Sequence, residues 1–151
     1  MRRRASVTGL AAVLMLGAPR AIASSAVTVQ STAGATTLEL DGRGSASTHI
    51  VKIAEVSLTT DAATGMTVAI TSGSLAKLDG STPVSFRVVL VDRAASPPSA
   101  AAFTTQSGTP YLFSTSAAGS VEKDAYIKYT PAALQDPGAY AASVAIDVVD
   151  N

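Results

Sequence analysis

The chain has no cysteine and no tryptophan, and only one histidine, four tyrosines and three phenylalanines in 151 residues. Without cysteine there is no thiol nucleophile, no thiolate metal ligand and no disulfide, so a folded domain must be held by its core alone. A serine–histidine–acid triad would depend on His49 as its base, and no serine stands in a nucleophile-elbow context. His49 reads as a strand-edge residue, because a lone histidine carries no ligand spacing. The acidic residues are spread over turns and strand edges, and so few aromatics leave little to build the sugar cleft that paired-carboxylate hydrolysis needs. The reading is therefore non-enzymatic, with no catalytic residue, no metal ligand and no cofactor assigned.

The chain also lacks helix-period segments of useful length beyond its first residues. Arg2, Arg3 and Arg4 form a basic start, Ala5 to Ala18 is an apolar run with Leu10, Val13, Leu14 and Leu16, and Ala21-Ile22-Ala23 is a small-x-small cleavage site. This is the pattern of a secretory signal peptide over residues 1–23. The apolar run is shorter than the roughly 20 residues that span a bilayer, and Pro19 interrupts its end. Export to the periplasm or cell surface is expected, with no membrane insertion after cleavage. Of the 11 Lys+Arg, four leave with the leader, so 7 basic residues face 11 acidic ones and the net charge becomes −4. No basic cluster remains to displace counterions, and nucleic acid is not expected as a partner.

What the remaining chain does have is period-two alternation. Residues 24–34 are polar with Val27 and Val29 on one parity, either a first strand or an N-terminal extension. A single sandwich domain is expected over 35–151. Strands are expected at Ala35–Leu40, at His49–Thr60, at Met66–Ser72 with Met66, Val68 and Ile70 inward, and at Val84–Val91 with Val84, Phe86, Val88 and Leu90 inward. Parity switches between Ile53 and Ala54, which requires a β-bulge or a change of sheet. Asp41-Gly42-Arg43-Gly44, Asp61 to Gly65 and Asp79-Gly80 are turn signals, and Gly73–Leu78 reads as a connector. Pro97 and Pro98 make Ser96–Ala102 an exposed loop. Shorter strands follow at Thr109–Ser114 and Ala125–Thr130, and a helical turn has room within Pro131–Gly138.

The last stretch carries the most information. Tyr140, Ala142, Val144, Ile146 and Val148 alternate with small or polar residues as one regular strand, after a turn at Leu134, Asp136, Pro137 and Gly138. A tyrosine two residues after the glycine matches the corner before a late strand of immunoglobulin-like sandwiches. The class is all-β: an immunoglobulin-like Greek-key β-sandwich of about six to eight strands, whose chain stops where one more strand would be made. Tyr140, Phe86, Tyr126 and Ile127 are expected to dominate a thin core. Tyr111, Phe113, Tyr129 and Phe103 are then the surface candidates for a sugar face. Asp41, Asp61, Asp79, Asp147, Asp150 and Asn151 offer oxygen ligands for calcium, but without the spacing of a calcium loop.

The segment SLTTDAATGMTVAITSGSLAKLDGSTPVSFRVVLV and the ending PGAYAASVAIDVVDN resemble the β-sandwich subunits of bacterial surface fibres, the spore-coat-protein-U and fimbrial-subunit group. The resemblance covers roughly Ser57 to Asn151. Members of that group usually carry a disulfide, and this chain departs from them there. The resemblance implies an incomplete fold whose groove is filled by an extended strand of the next subunit. Val27 and Val29 would then be the donor strand, and Tyr140, Val144, Ile146 and Val148 the receiving one. The expected function is a secreted structural subunit of a surface fibre or matrix, with self-association or other surface subunits as partners. The alternative is a secreted ligand-binding sandwich, for carbohydrate or calcium, with a loop site around Ser96–Ala102.

Overall fold

Alternating apolar residues become strands here because each strand can bury one face. Met66, Val68 and Ile70, and likewise Val84, Phe86, Val88 and Leu90, are all buried, and the intervening side chains are mostly not. The computed structural model describes residues 24–40, 46–77, 82–136 and 139–151, with the backbone of one further strand at Arg3–Ser6. The turn signals at Asp41–Gly44, Asp79-Gly80 and Pro137-Gly138 lie outside the described residues, as does the leader apart from that strand. In chain order the strands are β1 (Arg3–Ser6), β2 (Ser25–Ser31), β3 (His49–Thr60), β4 (Met66–Thr71), β5 (Ser74–Lys77), β6 (Val84–Asp92), β7 (Pro110–Ser114), β8 (Gly119–Tyr129), β9 (Tyr140–Ala141) and β10 (Ala145–Asp150).

They form two antiparallel sheets packed as an all-β sandwich. One is curled and six-stranded, in the order β2-β3-β8-β6-β5-β9; the other is β10-β4-β7, with β1 along the outer edge of β10. The β3–β8 ladder forms the spine, running from His49↔Tyr129 to Thr60↔Gly119. Its register shifts between Lys52 and Ala54, so the parity switch is a β-bulge at Ile53. Thr32 fixes that bulge, its N–H donating to Ile53 O at 2.9 Å and its hydroxyl to Lys52 O at 2.6 Å. The core between the sheets is aliphatic: Val56, Leu58, Met66, Val68, Ile70, Val88 and Ile146 form one cluster, each fully buried side chain contributing about 1.5–3 kcal/mol. A second cluster gathers Leu75, Val84, Phe86, Ile127 and Tyr129.

Several expectations are corrected. Ala35–Leu40 is not a strand: a 3-10 turn occupies Ala33–Ala35, and the hydroxyls of Thr36 and Thr37 both donate to Ala33 O, at 3.0 and 2.9 Å. Those local bonds compete with ladder formation. Gly73–Leu78 is no mere connector, since Ser74–Lys77 is β5, paired with both β6 and β9. Pro131–Asp136 holds a turn rather than a helix. The regular strand expected from Tyr140 to Val148 is two strands, because its partner bends. β4 passes from one sheet to the other as β5, and β9 and β10 make the same passage beside it, with Ala142–Val144 at the corner.

Aromatic placement also differs. Tyr129 and Phe103, assigned to the surface, are each only 2% exposed. Tyr126 points to the outer face of the six-stranded sheet, where it packs with Val89 and Phe103. The loop between β6 and β7 covers that spot, so Val89 is buried although its parity is outward. No helix among the described residues is long and apolar enough to cross a membrane.

Candidate functional site

The gap between β2 and β10 is the first candidate. β2 pairs with β3 from Ser25↔Thr60 to Ser31↔Ala54 and makes no ladder with β10. At one end the two strands are tied: the Ser25 and Thr60 hydroxyls both donate to Asp150 Oδ1, the latter at 3.1 Å. At the other end they part around an apolar cavity of about 280 Å³ whose lining includes Val29, Ser31, Ile53, Ala142, Val144 and Ile146. The Ile53 bulge sits in that wall, and Gly34 lets the chain pass over it: a Cβ there would stand 2.3 Å from Lys52 O.

The proposed donor and receiving residues thus meet the same core from opposite sheets. Val27, Val29, Val144 and Val148 pack against the larger cluster, and Ile146 belongs to it. Tyr140 packs on the smaller cluster from β9. The structure therefore brings Val29, Tyr140, Val144 and Ile146 to one cavity. It does not pair β2 with β10, and it divides the receiving residues between two sheets.

Tyr140 also holds a corner. Its hydroxyl donates to Asp136 O at 2.8 Å and accepts from Gln135 Nε2 at 2.8 Å. Gln135, only 6% exposed, also donates to Thr82 O at 3.0 Å and accepts from Ala132 N–H at 3.2 Å. These bonds tie the approach to β9 onto the start of β6.

The tied end is closed by polar side chains. Asn151 donates to Thr64 O and Thr115 O at 3.2 and 2.9 Å, accepts from the Thr67 hydroxyl at 2.7 Å, and its N–H reaches Gly65 O at 3.0 Å. Asp61 accepts from Ser24 N–H. The oxygens of these candidate calcium ligands accept from backbone N–H and hydroxyl donors. No group of three or more His, Asp or Glu able to hold a metal ion occurs among the described residues.

The outer face of the six-stranded sheet carries charge in two unlike patches. In the first, Lys52 lies 2.9 Å from both Glu55 and Asp124, and Arg93 lies 2.8 Å from Glu122, 3.4 Å from Glu55 and 3.8 Å from Asp124. Asp124 is buried and also accepts from Ala94 N–H at 3.2 Å. Burial pushes its carboxyl up, but contact with Lys52, the Ala94 N–H and the Arg93 charge outweigh it, and the net shift is downward from 3.8. Glu55 and Asp124 raise the Lys52 ammonium above 10.5. This patch fixes the turn after β6, where Ala94 sits at φ 61°.

The second patch is Arg87 and Lys128, directly opposite each other on β6 and β8. They line an open groove of about 780 Å³ at the end of the sheet. His49, opposite Tyr129 on the β3–β8 ladder, stacks on its ring with centroids 5.3 Å apart. Sequence reasoning missed Asp124, Arg87 and Lys128; the available signal was a charge inside an otherwise apolar strand, as in VSFRVVLV and AYIKYT.

Comparisons with protein-family models, with curated proteins and with solved structures returned no match.

Proposed function

We propose that this chain is an exported, non-enzymatic structural subunit of a surface fibre or matrix, assembled by adding a strand from a neighbouring subunit to the edge of β10. The observation that carries the reading is the occupant of that edge. Arg3–Ser6, part of the expected leader, lie along β10 in the register Arg3↔Val148 to Ser6↔Ala145. Removing the leader would leave the outer edge of β10 without a partner, beside the cavity of about 280 Å³ that opens toward Val144 and Ile146. An edge with free backbone groups next to unfilled apolar volume is what an added strand satisfies. The tyrosine corner at Tyr140 and the sandwich architecture accord with the immunoglobulin-like subunits that the sequence resembles.

Donation by Val27 and Val29 carries a condition. β2 is already laddered to β3, so it must leave its own subunit before serving another, as in a strand swap.

The test uses the protein recovered after export, its N-terminus read by mass, compared with a version lacking Ser24–Thr32, by sedimentation and electron microscopy. Polymers lost on deletion identify β2 as the donated strand. Polymers in both keep β10 as acceptor and place the donor elsewhere. Monomers in both at assembly concentrations sink the fibre reading.

A further inference from the structure

We infer that the groove at the end of β6 and β8 binds an anionic sugar chain, with Arg87 and Lys128 as the paired cations that hold its acidic groups. The inference is independent of strand addition, since the groove lies at the end of the six-stranded sheet and not at the β10 edge.

The first ground is a like-charge pair that the fold tolerates. Arg87 and Lys128 face each other across the β6–β8 ladder, and like charges directly opposite on neighbouring strands are destabilising. Elsewhere on the same face cations are answered by acids: Lys52 and Arg93 each pair with Asp or Glu. Among the described residues neither Arg87 nor Lys128 has such a partner, and the groove lining contains no carboxylate. The chain carries eleven acidic residues and places none of the described ones here.

The second ground is preorganisation. Arg87 Nη1 donates to Phe103 O at 3.0 Å, and Lys128 Nζ donates to Ala100 O at 2.7 Å with the ammonium 5.4 Å from the Phe103 ring centre. Each bond fixes a long side chain while using one donor of several. Arg retains most of its planar fork and Lys two of its three N–H groups. Side chains already ordered lose less entropy when a ligand arrives.

The third ground is the character of the lining. Thr48, Thr130, Gln106 and Ser107 line the same groove; the Thr48 and Thr130 hydroxyls bond each other at 2.9 Å and that of Ser107 donates to Gly73 O at 2.7 Å, which leaves each hydroxyl lone pairs to accept from a polyhydroxylated ligand. A volume of about 780 Å³ is far larger than one inorganic anion needs. Acidic sugars combine the two requirements: carboxylates for the cations, hydroxyls for the rest.

The test is a titration of the full chain with tetragalacturonate, with maltotetraose as the neutral probe and inorganic phosphate as the free anion, read by calorimetry and by the shift in unfolding temperature. Tetragalacturonate should bind and raise the unfolding temperature, maltotetraose should not, and affinity should fall with added salt. Arg87→Gln and Lys128→Gln should each weaken binding about tenfold or more. Ligand-free Lys128→Gln should unfold no earlier than the parent, because it relieves the like-charge pair. The proposal is overturned by any of four results: no binding of tetragalacturonate, equal binding of maltotetraose, equal affinity for phosphate alone, or binding unchanged in both variants. A lower unfolding temperature in Lys128→Gln, with no ligand shift in the parent, would also overturn it by assigning the cations to loop support.

Discussion

β2 and β10 meet at one end and part at the other, and the two ends are built from different chemistry. At the tied end, Ser25, Thr60 and Asp150 are joined by side-chain hydrogen bonds, and Asn151 bonds to Thr64, Thr67 and Thr115. At the open end the cavity walls include Val29, Ile53, Val144 and Ile146. Hydrogen bonds at the tied end fix where the sheets sit, but they bury little apolar surface. The open end is lined by apolar side chains, beside a β10 edge whose outer partner is β1. Stripped of β1, the β10 edge beside this apolar gap would be a liability unless something is meant to fill it.

The largest expected effect comes from breaking the tied end at Gly65. Its φ is +81°, and a Cβ would stand 2.2 Å from Thr115 O. Gly65→Ala should therefore destabilise by about 2–4 kcal/mol through backbone strain and overpacking, measured by denaturant unfolding. Asp124→Asn comes next, with a loss of about 1–3 kcal/mol from hydrogen bonds to charged partners. The same carboxyl gives a pH dependence. Its folded value is depressed below 3.8, so its contribution is complete above the unfolded value and is lost as pH falls through the folded one, below about pH 4. The raised Lys52 acts oppositely, contributing below 10.5 and losing that contribution as pH rises past it. Unfolding midpoints across pH in the parent and in Asp124→Asn should converge in acid.

Asn151→Ala should cost about 1–2 kcal/mol for the lost bonds to Thr64, Thr67 and Thr115. The smallest change sharpens the comparison from the other side. Ala142 lines the open cavity, and Ala142→Leu should stabilise the monomer by about 1 kcal/mol by filling volume while slowing polymer growth. A stabilised monomer that polymerises as fast as the parent would mean that the cavity takes no part in assembly.

How much of this was legible in the sequence depends on whether one strand sufficed to reveal it. The inward faces of β4 and β6 follow from alternation, and the bulge at Ile53 follows from a parity switch inside a single strand. The Tyr140 corner was legible from its distance to Gly138, although that glycine itself lies outside the described residues. What needed a second strand was hidden. Ser74–Lys77 is too short to show a period and is a strand because β6 and β9 flank it. Ala35–Leu40 alternates like a strand, yet two threonine hydroxyls hold it in a turn. Phe103 and Tyr129 look like surface rings until the β6–β7 loop and Glu39, whose carbonyl accepts from Tyr129 at 3.0 Å, are in place. The Arg87–Lys128 pair exists only in the β6–β8 register.

Amide hydrogen exchange along β10, read residue by residue in a monomer lacking residues 1–23, tests the proposed open edge most directly. In an antiparallel strand with one partner, alternate residues aim their N–H groups toward the free side. Exchange should therefore alternate along Ala145–Asp150, fast and slow, while β3, paired on both sides, is protected throughout; in the polymer the fast positions should become slow. Uniform protection of β10 in the monomer, equal to that of β3, would contradict an open acceptor edge.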